Sequence, residues 1–280
     1  MVKGSFKDKL NRLPKNARVG DLSYRGKDLS AYEGRLIVAI VGTRKPTPYG
    51  IAQTKKIASE LANAGVVIVS GLALGVDCLA HDAALASEGS TIAIVPRNSY
   101  PKTNGNVAKR IVENGNTIIS DDSQPNSPIR VAFLNRNRIV AAISDVIIIP
   151  EAAEKSGSLN TAHIAMKMRI PVCVFPGNIT SPMSAGTNQL LKEGAHAITE
   201  TQDVLNILGI KKKRRQLSLD LSGDTPEQTI LLQKIALGHT SSDDLLIETM
   251  LDPISFQTAS TMLEIDGKIS QDSLGKWSLT

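Results

Sequence analysis

Short apolar runs recur through the first two thirds of the chain, and three of them lead into glycine-bearing polar turns. Ile37-Val38-Ala39-Ile40-Val41 runs into Gly42-Thr43-Arg44, and Val66-Val67-Ile68-Val69 into Ser70-Gly71-Leu72-Ala73-Leu74-Gly75. Val146-Ile147-Ile148-Ile149 runs into Pro150-Glu151, followed by Ser156-Gly157-Ser158-Leu159-Asn160-Thr161-Ala162. Further apolar runs at 91–95, 117–120 and 171–175 are equally continuous, as strands are when both faces of a sheet are covered. Between them, helical periodicity predicts helices over 49–63, 76–87, 106–114, 130–143, 159–168 and 187–193, with Gly65, Gly89, Gly115 and Gly194 at helix ends. Strands alternating with such helices predict an α/β fold with a doubly wound parallel sheet. A further strand is predicted at 22–25.

The alternation stops near Gly209. The run Lys211-Lys212-Lys213-Arg214-Arg215 and residues 218–224 read as a linker, the basic run being solvated or, in a second reading, a phosphate contact. Three helical patterns (226–237, 242–250, 254–265) and two short strands around Ile269 and Trp277 then predict a small winged-helix-like domain. The plan is a short N-terminal extension over 1–35, an α/β domain over 36–210, a basic linker over 211–224 and the winged-helix-like domain over 225–280.

In an open parallel sheet, turns that follow strands share one edge, the carboxyl end. There glycine lets backbone N–H groups approach an anion and the helix N-terminus adds a favourable dipole, so a phosphate-bearing ligand is expected. Arg44 and Lys45 follow the first strand on a loop stiffened by Pro46 and Pro48; a guanidinium fork there suits a phosphate. Ser156, Ser158 and Thr161 offer hydroxyls around Gly157, either to a ligand or as ordinary helix caps. Asp77 and His81, four apart, are an acid–base pair or, more commonly for such spacing, a hydrogen bond on a helix face. Arg130, Phe133 and Asn137 share a helix face, with Arg136 and Arg138 adjoining. A cation beside an aromatic ring suits single-stranded nucleic acid, the ring stacking a base and the arginine taking the backbone; alternatively Phe133 is a core side chain.

Composition narrows the class. Of 280 residues, 41% are hydrophobic and 21% charged, enough for a core without disulfide or metal. No apolar run reaches the about 18 residues of a membrane span, and no signal peptide is expected. Cys78 and Cys173 lack C-x-x-C spacing and read as buried thiols in a reducing cytosol. The formal charge of +5 is uneven: from Thr225 onward eight acidic and three basic residues give −5, leaving +10 on the rest. A polyanion would therefore meet the larger domain. Within the tail's third helix, Ser255, Gln257, Thr258, Ser260 and Thr261 are uncharged, so a protein contact is expected there rather than duplex DNA. No catalytic set appears: there is no G-x-S-x-G, Walker A, H-E-x-x-H or cysteine cluster. Four histidines are scattered singly, and Glu151 is the one carboxylate in a plausible catalytic place. No metal and no cofactor are expected.

The ordered motifs resemble the DNA-processing protein A (DprA/Smf) family. They are Gly42-x-Arg44-x-Pro46-Thr47-x-Tyr49-Gly50, Ser70-Gly71-Leu72-Ala73-x-Gly75-Val76-Asp77-x-x-Ala80-His81, Arg136-Asn137-Arg138-Ile139-Val140-Ala141, and Glu151-Ala152-x-x-x-Ser156-Gly157-Ser158-Leu159-x-Thr161-Ala162, then Pro176-Gly177 and Ser184-x-Gly186-Thr187-Asn188-x-Leu190. The resemblance implies an extended Rossmann-like domain that binds single-stranded DNA, protects incoming strands and loads a RecA-type recombinase in natural transformation. It implies a cytoplasmic, competence-related homodimer, with no membrane association and no enzymatic turnover. Carried over by position, Arg44, Arg130 and Phe133 are pocket residues, and Gly42 with the turn from Ser156 to Leu159 supplies phosphate-contacting backbone. Departures are the short segment before the first strand in place of a helical N-terminal domain, and a shortened loop at Pro96-Arg97-Asn98-Ser99-Tyr100-Pro101. Leu134 also stands where proline is usual, Ala142 where glycine is, and Arg130 where lysine is common. A nucleotide hydrolase related to Rossmann-like phosphoribohydrolases is the alternative, weakened because the spacing around Glu151 departs from their catalytic loop. A dinucleotide-binding oxidoreductase is remote, since G-x-G-x-x-G is missing.

Overall fold

In a computed structural model, the apolar runs pair into one eight-stranded sheet. The structure describes residues 6–13, 22–96, 104–121, 128–210, 221–272 and 275–279. The basic run 211–215, the rest of the linker to 220, and loop residues 97–101 lie outside that set. The chain divides into two compact units, Met1–Lys212 and Lys213–Thr280.

In the first unit the strands are β1 (Leu22–Gly26), β2 (Ile37–Ile40), β3 (Val67–Ser70), β4 (Thr91–Pro96), β5 (Thr117–Asp121), β6 (Val146–Ile149), β7 (Val172–Val174) and β8 (His196–Ala197). The helices are α1 (Phe6–Leu10), α2 (Pro48–Asn63), α3 (Val76–Ala86), α4 (Gly105–Glu113), α5 (Ile129–Ile143), α6 (Gly157–Lys167), α7 (Ala185–Lys192) and α8 (Thr201–Ile207). Strand order is β1-β5-β4-β3-β2-β6-β7-β8. Ala39 of β2 stands level with Val69 on one side and Ile147 on the other.

Alternate side chains of each strand feed two cores. Ile37, Ala39, Val67, Val69 and Ile147 pack with Ile139, Val140, Ile143, Ala162, Ala165 and Leu190, so α5, α6 and α7 cover one face. Val38, Ile40, Ile68 and Ile148 pack with Ile57, Leu61, Ala80, Ala84 and Val204, so α2, α3 and α8 cover the other. Double coverage is why β2, β3, β4 and β6 are buried at every position and read as unbroken apolar runs.

Three expectations are amended. The sheet is mixed, because β1 pairs antiparallel with β5; it precedes the first crossover and is an exposed edge strand. Gly89 does not take the left-handed conformation expected at its helix end; Glu88 does, at φ 51. Gly89 is instead a close-packing position, where a Cβ would lie 2.6 Å from the Ala62 methyl. Finally, β8 and α8 lie in a stretch without a predicted element. β8 has two exposed residues, and α8 is held by a capping box of Glu200 and Asp203.

The helix that matters most for the site, α5, is anchored at its far end. Lys9 of α1 makes a buried ion pair with Asp145 at 2.5 Å. Arg12 donates to the Ala142 and Ser144 carbonyls at 3.2 and 2.6 Å, satisfying groups that a helix C-terminus leaves open.

In the second unit, α9 (Pro226–Ala236), α10 (Ser242–Thr249) and α11 (Pro253–Ile265) precede an antiparallel pair, β9 (Ile269–Gln271) with β10 (Trp277–Leu279). This is the element order of the expected winged-helix pattern. Leu231, Leu232, Leu245, Phe256, Leu263 and Trp277 form its own core. Thr225, Ser241 and Asp252 cap the three helices. Among the described residues, no helix is long and apolar enough to cross a membrane.

Candidate functional site

From β2 the chain winds outward through β3, β4 and β5, then returns to place β6 on the other side of β2. The crossovers leaving β2 and β6 therefore diverge, and a crevice opens at their carboxyl ends, the general ligand position in open α/β sheets. A cleft of about 740 Å³ occupies that place.

The loop after β2 forms one wall. Gly42 fits where a Cβ would come within 2.8 Å of the Val76 side chain and 2.9 Å of the Glu151 carbonyl. Thr43 N–H donates to that carbonyl at 2.9 Å, and Thr43 O accepts from Val76 N–H at 3.2 Å. Glu151 is buried; its carboxylate accepts the Thr47 N–H at 2.8 Å and the Thr47 hydroxyl at 2.5 Å. Thr47 in turn caps α2, and Gly50 leaves the space the carboxylate fills. The result is a loop fixed at both ends with Arg44 and Lys45 exposed on it.

The loop after β3 abuts the first. At Gly75, φ is +82 and a Cβ would lie 2.5 Å from the Thr43 carbonyl, so a side chain meets strain and a clash together. Asp77, at the start of α3, accepts N–H groups from Gly71 at 3.1 Å and Ala73 at 3.3 Å. Its charged partner is Arg136 of α5, Nη1 to Oδ2 at 3.9 Å, both side chains buried. Burial pushes the Asp77 carboxyl up against the opposing pull of Arg136 and the two N–H donors. His81 takes no part: its Nδ1 bonds the Thr91 hydroxyl at 2.7 Å, and burial pushes it down to about 3. Neither an acid–base pair nor an Asp77–His81 hydrogen bond forms.

Helix α5 supplies the opposite wall. Arg130 is exposed and Phe133 half-buried, and both line the cleft with Asn137. Two guanidinium groups attend the Phe133 ring, Arg44 at 5.9 Å and Arg136 at 5.6 Å from its centroid, within cation–π range. Thus Phe133 faces the cleft rather than closing the core.

The N-terminus of α6 completes the cleft. Ser156 caps it, accepting from Ser158 N–H at 3.4 Å, and the two hydroxyls lie 2.7 Å apart. A Cβ at Gly157 would meet nothing within 4 Å, so that position opens to solvent. Both readings of the serines hold together, since a capped helix end still presents its dipole and first N–H groups.

Of the residues singled out in the sequence, Gly42, Arg44, Lys45, Arg130, Phe133, Arg136, Asn137, Ser156, Gly157, Ser158 and Thr161 line the cleft. Arg138 and Leu159 do not: Arg138 bonds the Asn135 side chain, and Leu159 packs against the core beneath α6. Lining residues that sequence reasoning passed over include Thr43 and Met183, and Asp77, read there only as a partner of His81, lines the cleft as well. Met183 arrives through a fourth loop, held where its carbonyl accepts Ala152 N–H at 3.0 Å. Four cations and one carboxylate, Asp77, face this space, so its local field favours an anion.

Residues 4–209 match the family described as DNA recombination-mediator protein A. A putative DNA processing protein DprA of Mycobacterium tuberculosis is 32% identical over 249 residues, 85% of this chain and 63% of that one. This chain thus spans less than two thirds of that relative's length. A solved structure of DNA processing protein A from Helicobacter pylori, described for its single-stranded DNA binding mode, superposes with a TM-score of 0.60 at 41% identity, covering 70% of this chain and 92% of that one. The structure of DprA from Streptococcus pneumoniae gives 0.60 at 34% identity, over 70% and 71%. With this match over the whole sheet-bearing unit, the chain belongs to the DNA recombination-mediator protein A family.

Proposed function

We propose that this chain binds single-stranded DNA in the switch-point cleft, shields incoming strands and delivers them to a RecA-type recombinase in natural transformation. The observation that carries the reading is that exposed Arg44 and Arg130 line one cleft with half-buried Phe133, the Arg44 guanidinium lying over its ring. A duplex hides its bases in the stack, whereas a single strand offers base faces to a ring and phosphates to arginines. The open end of α6 at Gly157 and Ser158 adds a phosphate-sized anion site to the same wall. The H. pylori relative's description is consistent with this ligand. Arg44, Lys45 and Arg130 are the phosphate contacts in this reading, Phe133 the base platform and Asn137 a polar contact beside it.

Turnover forms no part of the proposal. Glu151, the carboxylate a nucleotide hydrolase would need, has both oxygens committed to Thr47. A cytoplasmic location and a homodimer complete the reading; they come from the family resemblance.

The test is fluorescence anisotropy with a labelled oligothymidine. Replacing Arg44 and Phe133 together with alanine is expected to weaken binding by at least about tenfold, since a stacked base alone is worth about 1–3 kcal/mol. Unchanged affinity in that double variant would remove the cleft from consideration.

A further inference from the structure

Arg136 differs in kind from the other cations of the cleft. Arg44, Lys45 and Arg130 are exposed, whereas Arg136 retains 4% of its accessible surface. Its guanidinium lies so close over Gly71 that a Cβ there would fall 1.1 Å from Nη1. On one side stands the Asp77 carboxylate at 3.9 Å, on another the Phe133 ring at 5.6 Å. Asp77 itself holds the loop after β3 through Gly71 N–H and Ala73 N–H. Helix α5 covers one face of the sheet and α3 the other. The pair therefore bridges the two helix layers across the carboxyl edge, beside the aromatic ring.

We propose that Arg136 is a positioning residue that acts through Asp77 and Phe133, locking the ring and the loop after β3 for a nucleic-acid strand, and that it makes no phosphate contact itself. This rests on the reading of the cleft as a single-strand site. A planar guanidinium suits the role, because it meets a carboxylate at its edge and an aromatic ring with its face, which an ammonium does not. Leaving one buried charge without the other is costly, so the two residues act as a unit. The Nε of Arg136 is buried without a hydrogen-bond partner, so the guanidinium is held by charge and packing rather than by a full set of hydrogen bonds.

Salt dependence separates positioning from contact. Each phosphate neutralised on a single strand contributes about −0.7 to the slope of log K against log salt. The experiment compares wild type, Arg44→Ala, Arg136→Gln, Asp77→Asn and the double variant Asp77→Asn/Arg136→Gln, by oligothymidine anisotropy across a salt series with a thermal melt of each. Arg44→Ala is expected to flatten the slope by about 0.7. Arg136→Gln is expected to weaken binding about fivefold or more at every salt with the wild-type slope, because the ring loses its fixed place. Asp77→Asn is expected to do the same, although it removes a negative charge. The double variant, a neutral amide pair in the same space, is expected to recover part of the loss. A flattened slope for Arg136→Gln, or tighter binding by Asp77→Asn, would overturn the proposal.

Where single variants fail to fold, phenylglyoxal mapping of the wild type decides. Arg136 is expected to stay unmodified with and without DNA, while Arg44 and Arg130 are modified free and protected bound. Arg136 modified when free and protected by DNA overturns the assignment. Absence of wild-type binding overturns both readings, whereas binding that depends on Arg44 with a flattened Arg136→Gln slope overturns this one alone.

Discussion

Replacing Glu151 tests whether the buried carboxylate that follows β6 is a structural staple or a reacting group. It is buried, accepts two hydrogen bonds from Thr47 and fills the space left by Gly50. Hydrogen bonds to a charged group are worth about 1.5–3 kcal/mol each, and neutral ones about 0.5–1.5. Glutamine keeps the shape and both contacts, with its carbonyl toward the Thr47 N–H and its amide toward the hydroxyl. The loss for Glu151→Gln is therefore about 2 kcal/mol, the charge assistance of two bonds. Glu151→Ala loses both bonds and strands the Thr47 N–H, at about 4 kcal/mol. For a unit of this size each kcal/mol moves Tm by about 2–4 °C, so calorimetry should show drops of about 4–8 °C and about 8–16 °C. Because the same loop carries Arg44, oligothymidine affinity should fall in parallel with Tm. The refuting result is a wild type that releases free base from nucleoside monophosphates together with a Glu151→Gln protein of unchanged Tm that does not.

Further outcomes follow from individual residues. His81, held neutral at about 3 in the folded chain against an ordinary value of 6.5, lets the unfolded chain bind the extra proton below pH 6.5; its contribution is complete above that pH and is lost as pH falls toward 3, about 2 kcal/mol by pH 5. Wild type should therefore lose more Tm than His81→Gln between pH 7 and pH 5, and parallel curves would count against it. Gly75→Ala, which places a Cβ 2.5 Å from the Thr43 carbonyl at φ +82, should lower Tm and weaken DNA binding together, since the two loops share that contact; a neutral substitution would contradict the packing. Residues 225–280, with their own core and a net charge of −5 from eight acids and three bases, should fold alone and leave duplex DNA unbound at physiological salt; an anisotropy rise with duplex would refute this.

Much of the fold was legible because both faces of the sheet are covered. An unbroken run such as Val146-Ile147-Ile148-Ile149 has one sensible home, a central strand. The convergence of loops after β2, β3 and β6 follows from topology alone, which is why eleven of the thirteen residues chosen from sequence line one cleft. What escaped has physical reasons. β8 is two exposed residues long and carries no hydrophobic signal. The antiparallel pairing of β1 with β5 is a long-range choice that local pattern does not encode. Asp77 sits four residues from His81, which suggested a local pair, yet its partner lies on another helix across the sheet edge. Arg136 reads in sequence as one more cation in a basic helix; only burial distinguishes it from Arg130. Arg138 and Leu159 adjoin true lining residues, but the helical turn carries them away from the cleft.

The central claim is that this cleft holds a single DNA strand by its phosphates and bases. The most direct measurement is wild-type affinity for an oligothymidine and for a duplex of equal length across a salt series. Tighter binding of the single strand is expected at every salt, with a log–log slope near −2 from about −0.7 for each of Arg44, Lys45 and Arg130. Equal or tighter binding of the duplex, or a single-strand affinity indifferent to salt, would contradict it.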